Sequence, residues 1–400
     1  MTIQLGSRMK AIKPSATLAM TQKANELRSQ GVDVLAFGVG EPDFRTPESI
    51  CEAAKHALDD GATHYTAVGG IQPLREAIQA RSEARRGVRH DLNEIVVSVG
   101  AKHTLFNLAM VLLDAGDEVI IPAPYWVSYP AQCEIVGAVP KVLSTSEEQG
   151  FRLTPEALQA AITDKTRALI LCSPSNPTGS AYPPAQLRAL ADVLAAHPNI
   201  WIIADEIYGE LVYDGFDQKS LLEVAPELKD RMIIVDGVSK TYAMTGWRIG
   251  WALAPAAVVK AVGKLQGQST TNPAAISQHA AIAALTQDQG PVDKMRVAFA
   301  GRRRAIVDGL NALEGVSCRE PEGAFYAFPN VSALVGKKAG EHVIEDDVAL
   351  AMWLLETARV AVVPGTAFGA PGYLRMSYAT SMETIQEGLR RIGAAIAKLS

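Results

Sequence analysis

The chain is poor in the residues that mark secreted or metal-binding proteins. Its four cysteines, at positions 51, 133, 172 and 318, lie far apart, and its seven histidines fall in no H-E-x-x-H or C-x-x-C pattern. Neither a disulfide framework nor a metal site is expected from that distribution. No run approaches the ~18 consecutive apolar residues of a membrane span, and the opening Met-Thr-Ile-Gln-Leu-Gly-Ser-Arg lacks the apolar core of a signal peptide. These absences predict a cytoplasmic protein that stays off the membrane. A charge surplus is missing too: 38 basic against 43 acidic residues leave a net charge of −5, which offers no general attraction for phosphate backbones or anionic lipid, so nucleic acid is not an expected partner. The one basic run, Arg302-Arg303-Arg304, stands among Val297, Phe299, Ile306 and Leu310 and reads as a solvated helix face.

Repeats, charge blocks and Gly/Ser linkers are also lacking. What remains is a globular composition: 400 residues, 48% apolar and 20% charged, with 32 glycines and 22 prolines. That excludes disorder and collagen-like structure, and the length predicts two domains or one large domain with a smaller one appended. Short β-rich runs at 95–99, 118–122, 168–172, 200–204, 231–235 and 248–253 alternate with helix-like segments at 101–113, 155–163, 183–196 and 255–267. Strand then helix, repeated, predicts an α/β fold with a mainly parallel sheet covered on both faces. From about 292 the pattern changes to a long helix, short strands and a terminal amphipathic helix, a smaller α+β domain spanning 292–400. Residues 46–291 then form the large domain, and residues 1–45 an arm and strand that return to the small one.

In parallel sheets of this kind ligands sit beyond the carboxyl ends of the strands, and those positions here are loaded with chemistry. Lys240 follows an apolar strand, with Arg248 eight positions on; a partly buried lysine beside another cation is what a Schiff base requires. Asp205 ends Ile-Trp-Ile-Ile-Ala, an apolar setting costly for a carboxylate unless a cation such as a protonated pyridine nitrogen pairs with it. Capping of a following helix is its plainer reading. Tyr208, three residues on, and Asn176, in a Pro-Ser-Asn-Pro turn, are placed to address the same ring from another edge. Gly100-Ala101-Lys102 opens a helix straight after a strand, where free backbone N–H groups suit a phosphate. It is not the G-x-G-x-x-G dinucleotide fingerprint. Trp126 stands where it can stack on a pyridine or pack in the core. Arg375, between apolar residues, fits either bidentate capture of a carboxylate or a solvent-facing strand position.

With these residues assembled, the sequence resembles the class I aminotransferases of the aspartate aminotransferase family, prokaryotic-type branch, of fold type I among pyridoxal-phosphate enzymes. The similarity runs nearly end to end, from Lys13-Pro14-Ser15-Ala16-Thr17 through Gly40-Glu41-Pro42-Asp43-Phe44, His64-Tyr65-Thr66, Pro124-Tyr125-Trp126, Ser175-Asn176-Pro177-Thr178-Gly179, Asp205-Glu206-Ile207-Tyr208 and residues 237–250 to Arg375-Met376-Ser377-Tyr378. It implies Lys240 as Schiff-base lysine and proton shuttle, Asp205 at the pyridine nitrogen, Tyr208 and Asn176 at the phenolic oxygen, and Trp126 on the ring. It further implies a phosphate cup of Ala101 and Lys102 backbone, Ser239 and Arg248, completed by Tyr65 from a second subunit of a homodimer with shared active sites. Gly40 and Arg375 would hold the substrate α-carboxylate, and Lys13 or Lys102 its distal carboxylate. The sequence departs from many relatives at Gly237, where they carry a phosphate-binding serine. The implied reaction is transfer of an amino group between an amino acid and a 2-oxo acid, with aspartate as donor and 2-oxoglutarate as acceptor. Aromatic or prephenate-type substrates are the alternative. A C–S lyase or a non-catalytic effector-sensing domain of a regulator is more remote, the latter disfavoured because no DNA-binding segment precedes residue 1.

Overall fold

The computed structural model describes residues 16–400, together with Gly6 and Met9. Its strands are β1 (Leu35–Ala36), β2 (Ile95–Ser98), β3 (Glu118–Ala123), β4 (Val139–Ser144), β5 (Thr166–Cys172), β6 (Trp201–Asp205), β7 (Met232–Gly237), β8 (Gly250–Leu253), β9 (Tyr326–Ala327), β10 (Lys338–Ala339), β11 (His342–Val343), β12 (Val360–Ala361), β13 (Val363–Pro364) and β14 (Leu374–Ser377). Helices α1 (Ala16–Ser29), α2 (Glu48–Asp59), α3 (Gln72–Arg86), α4 (Ala101–Leu112), α5 (Ser128–Ile135), α6 (Pro155–Ala161) and α7 (Pro184–Ala195) accompany the first six strands. After them come α8 (Leu221–Val224), α9 (Ala256–Gly267), α10 (Ala275–Thr286), α11 (Gly290–Asn311), α12 (Asp347–Thr357) and α13 (Met382–Ile396).

Seven strands form one sheet in the order β2-β8-β7-β6-β5-β3-β4. Neighbours from β7 to β4 are parallel, while β8 runs antiparallel to both β7 and β2. Both faces of the sheet are covered, and the side chains show it by period-two alternation. Ile95, Val97, Ile202, Ala204 and Ile234 join a core with α3, α7 and α10, whereas Val96, Ile203, Ile233 and Val235 face a second core with α4, α5 and α9. No polar periodicity survives in β7, whose six positions are all buried. The sequence reading missed β4. This is the sheet's edge, half exposed and interrupted by Pro140 and Lys141, so it carries neither an apolar run nor clean alternation.

Helices α11 and α12 pack with a three-stranded sheet of order β13-β14-β9, and α13 packs on α11 and β12. β1 pairs in parallel with β12, Leu35 opposite Val360, which brings the segment around Gly38 and Gly40 back to the C-terminal part of the chain. The basic run on α11 is not a solvated face. Arg303 is buried, donating to the Pro321 carbonyl at 2.7 Å and pairing with Asp214 and Glu320. Arg302 is bidentate on Asp43 at 2.7 and 3.0 Å, its guanidinium 4.9 Å from the centre of the Phe44 ring. Of the three, Arg304 alone is exposed.

Candidate active site

The strand-end residues meet at the carboxyl edge of β5, β6 and β7. Asp205, the last residue of β6, is 4% exposed and has two hydrogen-bond donors: Tyr129 Oη at 2.7 Å and the Ile207 amide at 3.2 Å. No lysine, arginine or histidine pairs with it among the described residues. Burial pushes its carboxyl up to about 6; Tyr129 and Ile207 oppose that rise, and Asp236 and Glu206 add to it. A buried carboxylate held by neutral donors and lacking a cation is the complement of a cationic ligand.

Lys240 lies in the turn between β7 and β8, which are antiparallel neighbours, so the chain leaves and re-enters the sheet at adjacent places. Its Nζ donates to the Gly40 carbonyl at 2.6 Å and lies 6.0 Å from the ring centres of both Tyr208 and Phe325. Burial among these aromatics pulls its ammonium down to about 8, helped by Arg375 and Arg248 and opposed by Glu41 and Asp205. A lysine with a substantial neutral fraction near neutral pH is a nucleophile and a base. Tyr208 is buried with its hydroxyl 2.9 Å from that of Tyr326.

Arg375, on β14, is 3% exposed. It donates through Nη1 to Asn176 Oδ1 at 2.9 Å and through Nη2 to the Gly38 carbonyl at 2.7 Å, between the Tyr326 and Phe368 rings at 4.8 and 4.9 Å. Its Nε is buried without a partner. A guanidinium fixed by neutral acceptors, with a donor unspent, is built to receive an anion. The solvent-facing alternative for this strand position does not hold.

Beside these, the first turn of α4 forms an anion cradle. Gly100 caps it at φ 85° without a side-chain bond, and the first backbone donors to return to the Gly100 carbonyl are His103 and Thr104. The amides of Ala101 and Lys102 are therefore left over. Arg248 lies against this end: a Cβ on Gly100 would meet its Cζ at 2.8 Å, and its Nη2 donates to the Val99 carbonyl at 3.3 Å. Gly250 is needed for the approach, since a Cβ there would stand 2.6 Å from the Gly100 carbonyl carbon and collide with the Ala101 nitrogen. Ser239 is buried in the adjoining turn.

Trp126, half-buried, meets Tyr129 edge-on at 5.4 Å, and Lys102 Nζ lies 4.8 Å from its ring centre. Lys102 thus pairs with an aromatic face, its charge disfavoured by burial and by Arg248. Tyr65 does not join the site within one protomer and is 88% exposed. Lys13 lies outside the described residues. Two participants escaped the sequence reading. Tyr129 follows Trp126 by three residues, which turns it toward the same strand end, and Tyr326 sits in the apolar Phe-Tyr-Ala-Phe run; each hydroxyl's role is set by a distant partner.

Comparison with known proteins gives this arrangement a family. The family described as aminotransferase class I and II matches residues 32–392. The chain is 48% identical over 397 residues to the aspartate/prephenate aminotransferase of Cereibacter sphaeroides, covering 99% of each, and 47% identical over 390 residues to the aspartate aminotransferase of Geobacillus stearothermophilus, covering 98% of each. Among solved structures, the aspartate aminotransferase of Rhizobium meliloti superposes with a TM-score of 0.97 at 44% identity over the full length of both chains. That of Thermus thermophilus with maleate gives 0.92 at 43%, covering 98% of this chain and all of the other. The chain belongs to the class I and II aminotransferase family, and its fold is that of the aspartate aminotransferases.

Proposed function

We propose that this protein is a pyridoxal-phosphate-dependent aspartate aminotransferase, a cytoplasmic homodimer that passes the amino group of L-aspartate to 2-oxoglutarate. The observation that carries the reading is the pairing, on neighbouring strand ends, of a buried carboxylate lacking a cation with a lysine whose ammonium is pulled down to about 8. Bound there, pyridoxal phosphate supplies an aldehyde carbon for the amino group and a ring that accepts electrons from Cα.

Each protein group would then have a task. Asp205 would keep the ring nitrogen protonated, with Tyr129 keeping Asp205 oriented. Tyr208 and the Asn176 amide, whose Oδ1 is taken by Arg375, would donate to the phenolic oxygen. Trp126 would supply an aromatic face for the ring. The Ala101 and Lys102 amides, Arg248 and the Ser239 hydroxyl would bind the phosphate, joined by Tyr65 of a second subunit. Lys240 would be the amine for the aldehyde carbon and the base for the substrate Cα proton, as suits a group whose pKa lies near neutral. Arg375 and Gly40 receive the α-carboxylate, leaving Lys102 and Lys13 as the cations for the distal one. The relative solved with maleate, a four-carbon dicarboxylate, supports that substrate class. Prephenate, in the printed name of the Cereibacter sphaeroides relative, is the second reading.

Half-reaction spectra test the assignment. Wild type should convert the cofactor's absorbance on addition of aspartate, while Lys240→Ala should bind cofactor yet turn over at less than ~1% of wild type, given the several orders of magnitude that a displaced base and nucleophile supply. Lys102→Ala should lower kcat/KM for aspartate about tenfold or more while sparing phenylalanine, because only the dicarboxylate loses a charge partner. An equal loss for both substrates removes Lys102 from side-chain recognition.

A further inference from the structure

A buried ion triad lies directly behind the cofactor-facing residues. Arg86, near the end of α3 and 3% exposed, donates through Nε to Glu206 Oε2 at 2.8 Å and through Nη2 to Asp236 Oδ2 at 2.8 Å, with Ser82 Oγ 3.3 Å from Nη1. Glu206 and Asp236 are 5% and 4% exposed. Glu206 is the residue after Asp205, and its amide donates to the Val235 carbonyl at 2.9 Å. Asp236 lies four residues before Lys240 and accepts from the Gly237 amide at 2.8 Å. One guanidinium therefore ties the end of β6 to the end of β7, the two strands that present Asp205 and Lys240.

We propose that Arg86 is a positioning residue for the transamination reaction, which together with Arg85 on Asp236 balances Glu206 and Asp236 so that Asp205 is the one uncompensated anion facing the ring nitrogen of a bound cofactor. The inference rests on the functional reading above. The groups that face Asp205 are Tyr129 from α5, Cys172 from the end of β5, Glu206 and the Ile207 amide from its own turn, Asp236 from β7, and Lys240 beyond it. Both carboxylates in that set push the Asp205 carboxyl upward. With Arg86 on both and Arg85 on Asp236 their charge is balanced at contact distance; without Arg86, Glu206 is left with no cation and acts on Asp205. Arg85 alone does not replace it. Its Nη1 lies 3.1 Å from Asp236 and 3.2 Å from Glu210, and it makes no ion pair with Glu206.

The test is a titration of Asp205 in the full chain, by 13C-carboxyl NMR of aspartate-labelled protein, with the signal assigned through its loss in Asp205→Asn. Arg86→Met should raise the Asp205 midpoint by about one pH unit or more, a tenfold effect. Asp236→Asn, which leaves the Arg86–Glu206 pair intact, should lower it. The charge-balanced variant Arg86→Met/Glu206→Gln, which leaves Asp236 to Arg85, should return it to the wild-type value. Ionised Asp205 is the form that pairs with a protonated ring nitrogen, so the pH below which pyridoxal phosphate affinity declines should move with the midpoint in every variant. Opposite shifts in the two single variants are not produced by loss of packing. An unmoved midpoint in Asp236→Asn, or in Arg86→Met where that variant folds, overturns the proposal, as does a double variant that keeps the shift of Arg86→Met. A wild-type chain that binds no pyridoxal phosphate defeats the functional reading instead, and the carboxyl titration still decides the role of Arg86.

Discussion

Asp205 illustrates how a functional residue is held against its own preference. Its carboxyl is pushed up to about 6 by burial, so ionising it costs more in the folded chain than in the unfolded one. A raised carboxyl contributes stability that is whole below about pH 4, the unfolded value, and is lost as pH rises through about 6. In cofactor-free protein Asp205→Asn should therefore raise Tm, by a margin that grows between pH 4 and 7, while the same variant binds pyridoxal phosphate more weakly. Thermal unfolding across that range checks the first half and cofactor titration the second; a Tm difference independent of pH would mean that Asp205 is not strained by its charge. The residue types were readable beforehand. A carboxylate at the end of an apolar run and a lysine after another advertise their cost in the sequence. Tyr129, which restrains Asp205 at 2.7 Å, does not, because a tyrosine hydroxyl is unremarkable until its acceptor is known.

Among the elements, the short antiparallel pair β7–β8 explains both what was legible and what was not. The apolar runs around it announced strands, and their direction did not show. Gly237 stands opposite Gly250 in that pair, and the position has little room for a side chain. A Cβ on Gly237 would lie 2.9 Å from the Ile249 carbonyl oxygen, 3.0 Å from Gly250 Cα and 3.2 Å from Ile207 Cδ1. Gly237→Ser should accordingly destabilise the protein by about 1–3 kcal/mol, the cost of overpacking, rather than tighten phosphate binding. Denaturant unfolding and cofactor affinity measured on the same variant decide it: tighter binding at unchanged stability would show that the strand gives way freely. Edge strand β4 and the buried Arg303 escaped the sequence for a related reason. Each is defined by what lies next to it in space, and a one-dimensional pattern of apolar and charged residues carries no such record.

At the scale of the whole molecule, the 88% exposure of Tyr65 sets a definite expectation for assembly. If Tyr65 serves the neighbouring site, mixing Lys240→Ala chains with Tyr65→Ala chains and refolding them together should yield activity above either parent. Each mixed dimer regains one site with both residues intact. Activity no higher than that of the Tyr65→Ala parent would place Tyr65 outside the shared site. Within one chain the site is assembled from far apart. Lys240 reaches Gly40 across 200 residues, and Arg375 reaches Gly38 across 337. The sheet can bring Asp205 and Lys240 together on its own, because β6 and β7 are neighbours. Arg375 meets its partners only after β14 has found its place and β1 has returned to β12. A chain cut short of β14 therefore lacks Arg375, and what it keeps of the site is the Asp205–Lys240 side of the sheet without the buried guanidinium.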